Sequence, residues 1–218
     1  MSDARARLNS LVELATENAP EKRRELAAEL CDLLLAWPAN YPPAMREPFE
    51  ALLEKTVRLI DRDTRNALIG RIASAPGVKR EFLNEFFFDA SPELRGEILA
   101  RNSDCETQDD VAVDEIAVVK AARLGDEFND AFAAALGIAS ETAARIVGDA
   151  SAQSLALAAK GAHLSRATFS ALVLLVCPGK PSDIETRLAA FESADEHIAS
   201  AMLTYWRSRA SHTQAEAA

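Results

Sequence analysis

The chain has 218 residues, of which 49% are hydrophobic and 6% aromatic, and its formal net charge is −10. Alanine and leucine carry most of the apolar content, and both are strong helix formers, so the composition favours long helices. The negative charge argues against sequence-independent binding to nucleic acid or to an anionic membrane, because both need a basic surface. A protein partner, and in particular a basic one, fits this charge better.

The cysteines and the apolar stretches bear on the cellular compartment. Cys31, Cys105 and Cys177 are odd in number and far apart, which is typical of reduced thiols in a cytosol. The first residues lead into an amphipathic helix and not into an apolar signal segment. The longest apolar stretch, residues 171–177, is much shorter than the ~20 residues needed to cross a bilayer. We therefore expect a cytoplasmic protein that does not bind or span a membrane.

The first half of the chain has the pattern of successive helices. Apolar residues recur at spacings of three and four, and proline or aspartate marks the breaks between runs. Leu26, Leu30 and Leu33 share one face of the second helix, which follows Pro20 and forms a hairpin with the first. The prolines of residues 37–43 predict a loop that covers a helix end. The predicted helices span residues 8–15, 20–34, 48–60, 62–73, 81–88 and 92–102.

An acidic segment separates the two halves. From Asp104 to Glu115 there are six acidic residues and no basic one, which predicts a solvated connection. Residues 1–209 are expected to form an all-helical domain, either as one unit or as two subdomains that meet near residues 102–112. The small and polar residues 210–218 are predicted to be a disordered tail.

The second half of the chain also has the pattern of successive helices, and the connections between them are short. Four of the junctions carry a glycine: Gly125, Gly137, Gly148 and Gly161. Gly161 is expected to supply the positive φ that ends one helix, with Ser165 capping the next. The tripeptide Asp-Ala-Ser, at Asp89 and again at Asp149, is a weak indication of repetition. The predicted helices span residues 113–124, 127–136, 141–147, 152–160 and 166–176.

A long terminal helix is predicted from residue 182 onward. Its apolar seam repeats at spacings of four and three if Asp195 takes one place in it. A carboxylate on such a seam is tolerable at a wet interface between two copies of the chain, but it also fits a helix that packs on the body with Asp195 at the edge. Both alternatives stay open. The seam residues considered as contacts with a partner or a second copy are Ile198, Met202 and Tyr205.

Three arginines form a second candidate contact surface. Arg58, Arg62 and Arg65 fall at positions i, i+4 and i+7 and so share one helix face if the helix is unbroken. Such a stripe could bind a carboxylate or phosphate of a partner. The alternative is that the arginines pair with the local Asp61 and Asp63 on a solvated face.

No pattern in the sequence indicates catalysis, a cofactor or a metal. His163, His197 and His212 share no ligand spacing with one another or with the cysteines. No serine lies in a nucleophile-elbow motif, and no glycine-rich loop precedes a helix. The sequence therefore predicts no catalytic, cofactor-binding or metal-binding residues.

Two blocks of the sequence carry a family resemblance. They are residues 83–95 and residues 148–169, together with Arg23, Arg24 and Leu26 in the amino-terminal hairpin. The chain resembles a family of bacterial proteins, mostly alphaproteobacterial, known as domain of unknown function 2336. The resemblance implies a cytoplasmic all-helical protein with stacked hairpins similar to HEAT-type arrays, and it implies no activity.

The expected fold is therefore all-α, a HEAT-like superhelical stack of helical hairpins with a long C-terminal helix. The expected function is a non-enzymatic scaffold, adaptor or regulator that binds a protein partner in the bacterial cytoplasm, because stacked hairpins expose broad surfaces. A homodimer through the terminal helix is a further expectation. The alternative function is an enzyme or a small-ligand-binding protein with its site in a groove between the two halves.

Overall fold

The computed structural model describes residues 11, 19–39, 41–105, 113–125, 127–178 and 180–216. Helices dominate these ranges and no strand occurs in them, so the predicted all-α class is confirmed. The chain divides into two compact units, Met1–Ile98 and Leu99–Ala218. Leu11 is helical and buried, but the rest of the predicted helix 8–15 lies outside the described residues.

The first unit is built on its first described helix. Pro20 occupies the first turn of this helix, where its missing N–H costs nothing. Leu26, Leu30 and Leu33 are buried on one face, as their spacing predicted, and this helix packs against the next two. The helices of this unit are α1 (Pro20–Leu35), α2 (Arg46–Val57), α3 (Arg62–Ser74), α4 (Arg80–Asn84) and most of α5 (Pro92–Ala100), with 3₁₀ turns at Pro43–Met45 and Phe87–Asp89.

The three consecutive phenylalanines do not share one helix. The sequence predicted a single helix over residues 81–88, but α4 ends at Asn84 and a 3₁₀ turn follows. The Asp89 amide donates to the Phe86 carbonyl at 3.0 Å and tightens this turn. Phe86 and Phe87 are thereby buried, while Phe88 is half-buried. Burial of Phe86 and Phe87 in the core outweighs the local helical pattern.

The second unit surrounds one buried helix. Nearly all residues of α9 are buried, including Ser154 and a run of alanines, and α9 packs against α8, α10, α11 and α12. Small side chains allow this close approach of several helices. The helices of this unit are α6 (Glu115–Leu124), α7 (Phe128–Leu136), α8 (Ser140–Gly148), α9 (Gln153–Gly161), α10 (Arg166–Leu175), α11 (Ile184–Ser193) and α12 (Glu196–Glu216), with a 3₁₀ turn at Pro181–Asp183.

Gly161 does not end α9 through a positive φ, so that expectation is wrong. The left-handed residue is His163, with φ +52°. The amide of Leu164 donates to the Ala159 carbonyl at 2.8 Å and the amide of His163 donates to the Lys160 carbonyl at 3.0 Å. This pair of bonds is the Schellman pattern, which needs a left-handed residue at the position of His163. Gly161 is inside the helix, where it faces α12.

The terminal segment forms two helices where the sequence predicted one. Ala194 is extended, and the Asp195 carboxylate accepts the Ile198 amide at 3.0 Å, so Asp195 caps α12. The expectation that Asp195 lies on a continuous apolar seam is therefore wrong. α12 is still a long C-terminal helix of 21 residues, and it extends past residue 210, where the sequence predicted a tail.

Candidate protein-contact sites

The arginine stripe of the sequence is split by the turn between α2 and α3. Arg58 follows the end of α2, whereas Arg62 and Arg65 lie in the first turns of α3. Asp61 ends the preceding turn and accepts the Thr64 amide at 3.0 Å, which makes it the N-cap of α3. The three arginines are thus brought near one helix junction, but they do not share one helix face.

Arg65 closes the end of the preceding helix. Its Nε donates to the Val57 carbonyl at 3.0 Å, and one terminal nitrogen donates to the Ile60 carbonyl at 2.9 Å and to the Arg58 carbonyl at 3.3 Å. The last carbonyls of a helix lack partners within the helix, and a cation there also offsets the helix dipole. The guanidinium of Arg65 therefore has a structural role.

Arg58 and Arg65 converge on one carboxylate. The Asp89 oxygens lie 3.6 Å from the Arg58 Nε and 3.9 Å from an Arg65 nitrogen, and Arg58 also donates to Glu54 at 2.7 Å. Arg62 differs, because it is exposed. The pKa of Glu93 is lowered by hydrogen bonds from the backbone amide of Glu93 itself and from Ser91, and the charge of Arg62 adds to this effect. Of the three arginines, Arg62 is the one with an exposed side chain.

The Arg65 arrangement recurs twice. In each case an arginine four residues after an N-cap residue donates to the carbonyl seven residues before it, at 3.3 Å. The side chains of Asp61 and Ser91 accept a capping amide, whereas that of Asp183 makes no capping hydrogen bond. The sequence signal is a capping residue followed at the fourth position by arginine, and it can be found without a structure. The pairs are Asp61 with Arg65, Ser91 with Arg95, and Asp183 with Arg187.

The terminal-helix candidates lie at different depths. Met202 is completely buried in the second unit, and its neighbours Leu203 and Trp206 are buried as well. Ile198 and Tyr205 are half-buried. A contact surface on α12 would therefore use the edges of Ile198 and Tyr205, while Met202 belongs to the interior.

The Asp149 junction consists of hydrogen bonds that start a helix. The Asp149 carboxylate accepts the amides of Ser151 and Ser154 at 3.2 and 3.1 Å and their hydroxyls at 2.7 Å each. These four donors fix the turn before α9, in which Ala152 has φ +58°. The carboxylate is thereby committed to helix capping and has no free position for a reacting group.

Glu115 joins two helices of the second unit through its carboxylate. One of its oxygens accepts the hydroxyls of Ser165, at 2.6 Å, and of Thr168, and the other accepts the Ser165 amide at 3.1 Å. These hydrogen bonds from Ser165 and Thr168 lower the pKa of Glu115. A lowered pKa makes the carboxylate a weaker base, so the contact suits the joining of α6 to α10 better than proton transfer. In the sequence, Glu115 is the last residue of the acidic segment, and nothing there indicates its contact with Ser165 and Thr168.

Other reactive groups are dispersed. Burial raises the pKa of the Cys31 thiol to about 11. His163 Nδ1 lies 3.2 Å from a Glu196 oxygen, on the exterior. Within the described ranges, no group of three or more His, Cys, Asp or Glu side chains is arranged to hold a metal ion.

Large exposed apolar side chains mark two helices that the sequence had not indicated as contact surfaces. Ile116 on α6 is 82% exposed, and Leu174 and Leu175 at the end of α10 are 64% and 45% exposed. α6 and α10 pack against each other. In the first unit, Leu59 at the α2–α3 junction is 62% exposed. Periodicity locates a helix, but the exposed face depends on neighbours that only the fold provides.

Comparison with known proteins places the chain in a family. The family model described as "Uncharacterised protein conserved in bacteria (DUF2336)" matches residues 50–204, which is more than half of the chain. The chain belongs to this family. The DUF2336 match begins within α2 and ends within α12, so it includes the Arg65, Asp149 and Glu115 contacts. No curated protein and no solved structure matches the chain.

Among the described helices, none has by itself the length and apolar composition needed to cross a membrane. α7 and α8 reach that length and composition only together, and they are bent by 111° at their junction.

Proposed function

We propose that this DUF2336 protein is a non-enzymatic interaction scaffold, adaptor or regulator in the bacterial cytoplasm. In this proposal its helices stack as HEAT-like hairpins and a protein partner binds to the surface they expose. The observation that carries the proposal is the exposure of Ile116, Leu174 and Leu175 on two packed helices. Single exposed apolar residues are ordinary on a protein surface, and the proposal is that these three side chains act together as one contact surface.

The polar contacts support the same proposal. The carboxylates and guanidiniums that come together in each unit, such as Asp149, Glu115 and Arg65, bind helix ends. A catalytic carboxylate needs a pKa matched to proton transfer and access to a substrate. Side chains that cap helices make a rigid scaffold, on which an exposed apolar surface can bind a partner with little loss of conformational entropy.

Site-specific crosslinking tests the proposal. A photoreactive phenylalanine analogue at Ile116 or Leu174 is expected to give a covalent adduct with a defined protein in the native host cytosol. The same analogue at the exposed Asp130 on α7 is the control and is expected to give none. Absence of adducts from both test positions, together with a metabolite that raises the melting temperature, would instead favour the ligand-binding alternative.

A further inference from the structure

The exposed apolar side chains Ile116, Leu174 and Leu175 lie on two packed helices that contain few acidic residues. α10 contains no acidic residue, and the only one in α6 is Glu115, which is held by Ser165 and Thr168. On α6, Lys120 and Arg123 follow Ile116 at the fourth and seventh positions, and all three are exposed. Residues at these spacings lie along one face of a helix. In a chain of net charge −10, this face is apolar at Ile116 and cationic at Lys120 and Arg123, and the exposed Asp114 that caps α6 stands at its opposite end.

We propose that the exposed faces of α6 and α10 bind an acidic amphipathic helix of a partner protein. The inference rests on the proposed function and specifies the chemistry of the partner. An amphipathic helix places apolar residues at i, i+3, i+4 and i+7 on a partner surface, and these would contact Ile116, Leu174 and Leu175. Carboxylates beside its apolar stripe would contact Lys120 and Arg123. Complementary charge at the rim of such a contact sets the partner choice and the association rate.

Local charge decides the partner more than the total charge does. The net charge alone predicted a basic partner, but the Debye length is about 8 Å at physiological salt. Charges elsewhere on the chain are therefore largely screened from a helix bound at Lys120 and Arg123. An anionic membrane is less suitable than a protein, because a membrane surface would face more of an acidic chain than one bound helix does.

Two labelled peptides test the inference with the full chain. Both are about five helical turns long and share one leucine stripe, and their polar positions carry glutamate in one and lysine in the other. Fluorescence anisotropy at physiological salt is expected to give a Kd on the order of 10 µM for the glutamate peptide and at least about tenfold weaker binding for the lysine peptide. Equal or tighter binding of the lysine peptide overturns the inference.

Variants locate the binding. The double variant Lys120→Glu, Arg123→Glu is expected to raise the Kd of the glutamate peptide by about tenfold. The single variant Ile116→Asp is expected to raise it by a similar factor. Lys55→Glu with Lys79→Glu changes the total charge by the same amount at exposed positions of the first unit and is expected to leave the Kd unchanged. All these positions are exposed, so circular dichroism should report intact folding. Equal weakening by both charge reversals overturns the assignment to α6.

Other occupants give different results. Binding to vesicles of phosphatidylglycerol and phosphatidylcholine, with no binding to the glutamate peptide, would assign the face to a membrane and overturn the inference. If the peptide binds only after Glu106, Asp109 and Asp110 are changed to amides, the chain's own acidic segment is the occupant and the inference is likewise overturned. If a protein crosslinks at Ile116 but the glutamate peptide does not bind, the proposed function is supported and the inference of an acidic helix as the partner is overturned.

Discussion

Gly161 on α9 meets the backbone of Ala199 on α12 with no space for a side chain. A Cβ at Gly161 would lie 2.5 Å from the Ala199 carbonyl oxygen and 3.1 Å from the Leu203 Cβ. The first of these atoms is backbone, so it cannot move aside by a rotamer change. The crossing of the central helix and the terminal helix therefore depends on the absence of a methyl group at position 161.

Gly161→Ala is expected to destabilise the protein by about 1–3 kcal/mol, the usual cost of overpacking a core. Urea unfolding followed by circular dichroism measures the change. Gly148→Ala is the matched control, because Gly148 is in the last turn of α8 and a Cβ there meets nothing within 4 Å. The control is expected to be neutral or slightly stabilising. If both variants lose equal stability, the close contact with Ala199 is not the cause.

The glycines illustrate what the sequence can and cannot predict. Gly125 and Gly137 were predicted at helix junctions, and both have positive φ there. Gly161 has the same spacing in the sequence but serves a helix crossing. The two roles differ only in a contact with Ala199, which is distant in the chain. A local pattern therefore predicts that a glycine is needed without predicting which of its properties is used.

His163→Gly is expected to stabilise the protein by about 1 kcal/mol. His163 holds φ +52°, a conformation that costs residues with a Cβ but not glycine. The substitution also removes the contact with Glu196, but both side chains are exposed, so that loss is small. Thermal unfolding measures the difference. His163→Val should be destabilising, since a β-branched residue is strained at this φ; stabilisation by valine would contradict the explanation.

Arg65→Met is expected to destabilise the protein by roughly 2–3 kcal/mol, because three helix-end carbonyls lose a charged donor and Asp89 loses one counter-ion. Methionine keeps most of the apolar stem. Arg62→Met removes an exposed arginine of the same helix and is expected to change stability by less than about 0.5 kcal/mol. Urea unfolding measures the stability of both variants. Equal losses would refute the role of Arg65 at the end of α2.

The candidate sites were predictable to different degrees. The spacing of Arg58, Arg62 and Arg65 was visible in the sequence, but their targets depend on the turn geometry that brings Asp89 to the same junction. The exposure of Ile116 and Leu174 could not be predicted, since an apolar residue on a helix is exposed or buried according to its neighbours. What repeats locally, such as a cap followed by arginine, can be found in sequence; what depends on packing cannot.

Cys177 is expected to react with a thiol reagent in the folded protein, while Cys31 reacts only after unfolding. Cys31 is completely buried, and burial raises its pKa to about 11, so almost no thiolate forms near neutral pH. Cys177 is half-buried, and burial also raises its pKa, so its reaction should be slow but measurable. Mass spectrometry of partly modified protein identifies the residue. Modification of Cys31 before Cys177 would contradict the described packing.

Glu115→Gln is expected to destabilise the protein by about 1 kcal/mol at pH 7, because hydroxyl and amide donors bind a carboxylate more strongly than an amide. The pKa of Glu115 is lowered in the folded state by Ser165 and Thr168. A carboxyl group with a lowered pKa contributes stability that is complete above its unfolded pKa and is lost as the pH falls through its folded pKa. The difference between wild type and variant should therefore shrink below about pH 4.3, the ordinary pKa of glutamate.

Glu141→Gln separates this contact from the effect of charge at a helix start. Glu141 and Glu115 both lie in the first turn of a helix, so both interact favourably with the positive end of the helix dipole. Only the Glu115 carboxylate also accepts hydroxyl groups from another helix. If urea unfolding between pH 3 and pH 7 gave the two variants the same loss and the same pH dependence, the dipole alone would account for Glu115. A larger and more pH-dependent loss at Glu115 would show that the carboxylate joins α6 to α10, which is the packing that presents the exposed apolar surface.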